Sequence, residues 1–190
     1  MRSFSIGQKT ISARAIVILI IVLILGFMLF RRSAAAPQTP TVSLEDATEL
    51  SKAEASATIN REFTFPLKDA AGKNISNLKY KIENADLRKE IFIKGQKATA
   101  VNGRAFLVFD IKVTNGYNST IQMNTRDYIR LSTDGKEWAA PEIHNDPVAI
   151  SAIATQNTRL GFAVNEKDRV FKLQVGEVKG QKTIIDVKLK

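Results

Sequence analysis

Gly103-Arg-Ala-Phe-Leu-Val-Phe-Asp-Ile-Lys-Val-Thr-Asn115 is the stretch that decides the fold. Leu107, Phe109, Ile111 and Val113 stand two residues apart, so in an extended chain they share one face. Asp110 and Lys112 fall on the other face, together with Phe106 and Val108. A strand apolar on both faces at one end fits a central, partly covered position in a sheet. The same period of two recurs on both sides of this stretch. Leu78, Tyr80 and Ile82 alternate with lysines and Glu83. Ile129 and Leu131 alternate with Tyr128 and Arg130. Leu160, Phe162 and Val164 alternate with Arg159, Gly161 and Ala163. Phe171, Leu173 and Val175 form a further set, and Ile185, Val187 and Leu189 another. Turn dipeptides separate the runs: Ala71-Gly72, Asn102-Gly103, Asn115-Gly116, Asp134-Gly135 and Lys179-Gly180. Many short strands at this spacing predict an all-β antiparallel sandwich, and no long helical pattern interrupts them as a parallel α/β sheet would require.

Three segments taken together carry a resemblance: Gly103–Asn115, Asp127-Tyr-Ile-Arg-Leu-Ser-Thr-Asp-Gly-Lys-Glu137, and Thr158-Arg-Leu-Gly-Phe-Ala-Val164. A long strand ending in Thr-Asn, a strand with an Asp-Gly turn and a strand carrying an aromatic residue are similar to a bacterial immunoglobulin-like domain family. Its members are mostly extracytoplasmic lipoproteins or membrane-anchored proteins of unknown function. The resemblance covers roughly residues 60–190 and implies an immunoglobulin-like sandwich outside the cytoplasm. It transfers no functional residue, because the family has no established activity. This chain departs from the lipoprotein members in having no cysteine to lipidate.

A different anchor is present. Ala15 to Phe30 is a run of sixteen uncharged residues. At about 1.5 Å per residue it covers roughly 24 Å, and extension to Ile11 reaches about the 30 Å of a hydrocarbon core. That extension takes in Arg14, whose stem can snorkel. Cleavage after Ser33-Ala-Ala-Ala36 is disfavoured, because Arg31 and Arg32 separate the alanines from the apolar run and Pro37 follows the obvious cut. Arg2, Lys9, Arg14 and the free amine outweigh Arg31 and Arg32, which favours the N-terminus inside. The organisation expected is a cytoplasmic N-terminus over 1–10 and a transmembrane signal-anchor helix over 11–32. A linker over 33–59 and the sandwich over 60–190 complete it. Pro37 and Pro40 keep the start of the linker extended. Ser43 with Asp46, followed by Ala47, Leu50, Ala53 and Ala57, suggests a short helix before the domain.

Residues 60–190 hold 22 Lys plus Arg against 15 Asp plus Glu, a balance of +7. No cluster of four or more cations appears, so a solvated mixed surface is favoured over a nucleic-acid site. Lys79, Lys81, Lys112, Lys172 and Lys188 occupy outward strand positions and offer one route to an anionic polymer, although lysines there also protect sheet edges. Without cysteine there are no disulfides, thiolate nucleophiles or thiolate-bound metals. No Gly-x-Ser-x-Gly elbow and no phosphate-binding glycine loop occurs.

The strongest candidate for recognition is Trp138-Ala-Ala-Pro-Glu-Ile-His-Asn-Asp-Pro147, with the only Trp and the only His of the chain. If this segment is extended, Glu142, His144 and Asp146 point the same way. They could then serve a metal-assisted hydrolase, although loop-fixing and edge-covering roles for the same residues are favoured. Trp138, Glu142, His144, Asp146 and nearby Arg159 form the binding set expected here. The function expected is non-catalytic binding of an envelope protein or anionic polymer by a single-pass anchored domain. No enzyme activity, cofactor or resident metal is expected. A structural subunit of a membrane complex is the main alternative.

Overall fold

The alternation is realised as strands. A computed structural model describes residues 51–93 and 95–190, which belong to one unit, Ala47–Lys190. The expected N-terminus, anchor and most of the linker lie outside the described residues. No helix among the described residues is long and apolar enough to cross a membrane. The described residues form twelve strands: β1 (Ala55–Lys68), β2 (Asn74–Arg88), β3 (Glu90–Ile93), β4 (Gln96–Thr99), β5 (Arg104–Asn115), β6 (Ile121–Met123), β7 (Ile129–Ser132), β8 (Ile143–His144), β9 (Val148–Ile150), β10 (Ala154–Asn165), β11 (Val170–Val175) and β12 (Thr183–Lys188). A single 3-10 turn, Thr125–Tyr128, joins β6 to β7.

All pairing is antiparallel. One sheet has five strands in the order β1-β2-β5-β10-β8, and a second has three in the order β12-β11-β7. The pairs β3–β4 and β6–β9 complete the structure. The inward faces of the two main sheets meet in one apolar cluster. The larger sheet contributes Tyr80, Ile82, Leu87, Leu107, Phe109, Ile111, Leu160 and Phe162, and the smaller contributes Ile129, Leu131, Phe171, Leu173, Val175, Ile185 and Val187. The described residues therefore form an all-β antiparallel sandwich, as the period of two required. The Phe109 and Phe162 rings pack edge to face with centroids 5.9 Å apart. Burying side chains of this size stabilises the fold by about 1.5–3 kcal/mol each. On the outward face of β5, Phe106 and Val108 are half-buried, which fits the central position expected for that strand.

Register fixes which features share an end. Ala55 pairs with Leu87, Leu87 with Leu107, and Leu107 with Phe162. The chain thus enters the sheet at the end where β5 begins and β10 finishes. Asn115 closes the opposite end. Its amide donates to the carbonyls of Ser119 (2.9 Å), Ile150 (3.2 Å) and Ser151 (3.0 Å), while its Oδ1 accepts from Tyr117 N. The Thr-Asn strand ending is a loop-holding device.

The start of the domain is a correction. The helix suggested across Ala47–Ala57 does not form over its described part: Ser51–Ala53 have no regular structure, and Ala55 and Ala57 lie in β1. The sheet begins at Ala55, ahead of the expected boundary at 60. Alanine spacing favours helix locally, but strand pairing decides. Ser56 N donates to the Lys190 carbonyl and Lys190 N to the Ser56 carbonyl, both at 2.9 Å, so β1 also ties the two chain ends of the domain together.

Candidate binding site

The segment from Glu137 to His144 changes sheets. Ala139 exchanges two backbone hydrogen bonds with Leu131 of β7 (2.8 and 3.0 Å), which joins it to the smaller sheet. A few residues later Glu142 N donates to the Gly161 carbonyl at 3.0 Å and β8 pairs with β10 in the larger sheet. Gly161 permits this crossing. A Cβ there would stand 3.0 Å from Ile143 Cδ1 and 3.1 Å from Ile143 Cβ, so a side chain would push β8 away. Pro141 is buried at the middle of the crossing.

Beneath the crossing lies a cavity of about 420 Å³, within the range of ligand pockets. Leu131, Trp138, Phe162 and Val164 give it apolar wall, and Glu137, Glu142, Asp168 and Arg104 supply charge. None of these three carboxylates makes an ion pair among the described residues. Neighbouring Glu166, by contrast, is paired with Lys89, whose ammonium holds that carboxyl below its usual range. Arg104 Nη2 donates to the Ala163 carbonyl at 2.7 Å.

The expected site residues divide among three places. Trp138 and Glu142 share the cavity. His144 and Asp146 face the 3-10 turn instead. The Asp146 side chain is only 3% exposed, and its Oδ1 accepts from Thr125 N (2.8 Å) and Thr125 Oγ1 (2.6 Å), its Oδ2 from Arg126 N (2.9 Å). Asn124, the residue preceding the turn, makes no side-chain cap, so Asp146 caps it from 21 residues away. Tyr80 Oη donates to Thr125 O at 3.3 Å, and burial, reinforced by the Asp146 charge, pushes its hydroxyl well above the ordinary tyrosine range. His144 Nε2 lies 3.1 Å from Arg126 Nη1 and its Nδ1 lies 3.3 Å from Asp146 N. A neutral imidazole accepts through one nitrogen only, so at most one of these is a full hydrogen bond. Arg159 projects from the outer face of the larger sheet and pairs with Asp110 at 2.8 Å, with Asn145 beside it.

The single surface expected of Trp138, Glu142, His144, Asp146 and Arg159 is therefore not formed. The extended backbone that would align the three ligating side chains holds only over Ile143–His144, after which the chain turns and carries Asp146 under the 3-10 turn. No group of three or more His, Asp or Glu with metal-holding geometry occurs among the described residues. The hydrolase alternative built on Glu142, His144 and Asp146 loses its geometry here. Arg104, Glu137 and Asp168 belong to the cavity but had no sequence signal, since three separate segments supply them.

The outward lysines are also placed. Lys79 pairs with Glu62 (3.1 Å), Lys81 and Lys112 with Glu83 (3.4 and 2.9 Å), and Lys172 with Asp186 (3.2 Å). Lys81 and its partner share β2, Glu83 serves two lysines, and Lys188 has no ion pair among the described residues, so carboxylates offset part of the positive charge that could have met an anionic polymer.

No family model matches the chain, and no curated protein matches it. Among solved structures it is similar to an uncharacterized beta-sandwich protein of Clostridium difficile, at 12% identity over 58% of this chain and 85% of that one, TM-score 0.47. A conserved hypothetical protein of Bacillus anthracis is similar at 10% identity over 68% of this chain and 99% of that one, TM-score 0.42. A putative lipoprotein of Bacillus subtilis, ycdA, is similar at 17% identity and TM-score 0.38; 58% of this chain matches 36% of that one, so the match spans about a third of its length. At these scores the likenesses assign no activity and no partner.

Proposed function

We propose that this chain is a single-pass, membrane-anchored protein that displays an immunoglobulin-like domain outside the cytoplasmic membrane and binds another envelope protein without catalysis. The observation that carries the reading is the cavity at Glu137–Glu142, which the chain's only Trp lines together with three carboxylates that have no ion partners among the described residues. The apolar run Ala15–Phe30 and the arginines that bracket it support the anchor and its direction. The strand order supports the immunoglobulin-like assignment. With β2, β5, β7, β8, β10, β11 and β12 taken as A to G, the sheets read A-B-E-D and G-F-C, the constant-type arrangement, and β1 is an added edge strand. A protein partner is favoured over an anionic polymer, because four of the five outward strand lysines are paired and the charge at the cavity without ion partners among the described residues is mainly negative.

The test compares the tagged full-length chain with a Trp138→Ala, Glu142→Gln variant in membranes of the native source, solubilised in mild detergent. The wild type is expected to retain a defined protein that the variant loses, with the melting temperature of the domain changed by no more than a few degrees. Equal retention by both proteins would contradict the reading.

A further inference from the structure

We infer that the partner presents an extended, basic peptide segment, which enters the cavity and adds as a strand along the free edge of β10. This rests on the cavity being the binding site and supplies the chemistry of its occupant. The free edge follows from register. The Gly161 carbonyl faces β8, since it accepts from Glu142 N. Backbone polar groups two residues apart in a strand face the same side, so the N–H and C=O of Ala163 face that side too. The partner strand has ended there, because β8 pairs only with Leu160 and Gly161. The edge at Ala163 therefore opens into the cavity, which Phe162, Ala163, Val164 and Asn165 line from the β10 side.

Arg104 marks the same place. It stands on β5 opposite Asn165, yet its guanidinium reaches the Ala163 carbonyl at 2.7 Å. A side chain thus occupies one acceptor lone pair of an edge that no strand covers, and the second remains for an incoming N–H. Strand addition supplies affinity through such main-chain bonds and specificity through side-chain pockets. Here the pocket chemistry suits a cation: Glu137, Glu142 and Asp168 line the cavity together with Trp138, and an ammonium or guanidinium is attracted both by carboxylates and by an aromatic face. In a domain of net charge +7 this local excess of negative charge selects a basic segment.

The experiment titrates the full-length chain in detergent micelles with a capped five-residue peptide of alternating valine and lysine, and follows the emission of Trp138, which no other Trp obscures. Two control peptides are a glutamate version and a lysine version methylated on its backbone amides. The lysine peptide should give a saturable change. Backbone methylation should weaken it about tenfold, as loss of roughly one hydrogen bond implies. The glutamate peptide should give none, and a Glu137→Gln, Glu142→Gln, Asp168→Asn variant should weaken lysine-peptide binding at least tenfold. An unchanged response to the methylated peptide would mean cation capture without strand addition and would overturn the inference. A missing response to the lysine peptide, or an equal one to glutamate, would also overturn it. Should the triple variant not fold, the peptide series on the wild type decides alone. Loss of the partner in the membrane comparison tests the cavity itself, so the two readings can fail separately.

Discussion

Replacing Asp146 by Ala separates scaffold from binding surface inside one loop. The carboxylate accepts three hydrogen bonds, from Thr125 N, Thr125 Oγ1 and Arg126 N, and its side chain is 3% exposed. Hydrogen bonds to a charged group contribute about 1.5–3 kcal/mol each, and the cost of burying the carboxylate offsets part of the total. Loss of a helix cap alone costs about 0.5–2 kcal/mol. Together these place Asp146→Ala near 3 kcal/mol. The turn it holds also carries Tyr128, whose ring lies 4.8 Å from Phe65 and 5.8 Å from Tyr80, so release of the turn loosens that corner of the core. For a unit of this size about 4 °C accompany each kcal/mol, giving a fall in Tm of roughly 12 °C. Asp146→Asn keeps one acceptor oxygen but presents an amide to a donor, and should cost about half as much. Glu142→Ala and Arg159→Ala, both at exposed positions, should stay within about 0.5 kcal/mol. Thermal and urea unfolding followed by far-ultraviolet circular dichroism measure all four. An Asp146→Ala cost below about 1 kcal/mol, or an equal cost for Glu142→Ala, would refute the division of the loop.

Phe109→Ala should cost about 3–5 kcal/mol, read from urea unfolding, because its ring is fully buried against Phe162. Thr158→Val should leave stability unchanged or raise it by about 1 kcal/mol, since the buried Thr158 Oγ1 has no hydrogen-bond partner among the described residues. Acid titration of stability should show a contribution from Glu83. Its hydrogen bond from Lys112, aided by Lys81, lowers its carboxyl from the usual 4.5, so its stabilisation is present above that value and is lost as pH falls through the lower folded-state value. Lys112→Met should flatten the slope below pH 4.5, measured as melting temperature against pH.

The strands were legible because each buries one face. Leu107, Phe109, Ile111 and Val113, and likewise Leu160, Phe162 and Val164, are buried as their spacing required. The start of β1 was not legible. Ala53 and Ala57 carry helical spacing, and only the pairing of Ala55 with Leu87 and of Ser56 with Lys190, distant in sequence, makes a strand from Ala55 onward. The candidate site was half legible. A lone Trp beside Glu142 marked the right crossing, but Glu137, Arg104 and Asp168 meet there only through the tertiary fold. The loop-fixing role favoured for Asp146 is realised as a cap, but spacing alone cannot show that the turn it holds is the distant one at Thr125. Arg159 was near the loop, as expected, yet β10 alternation points it away from the core while the cavity opens at the strand edge.

Site-specific photocrosslinking in intact cells of the native source tests the central claim most directly. A benzophenone side chain is placed at Ala140, which lines the cavity, and in a separate protein at Asn118, an exposed residue just beyond the opposite end of β5. The two ends of β5 lie about 37 Å apart at 3.4 Å per residue. The account predicts a discrete protein adduct from position 140 that Glu142→Gln diminishes, and no such adduct from position 118. Adducts of the same protein from both positions, or from 118 alone, would contradict it.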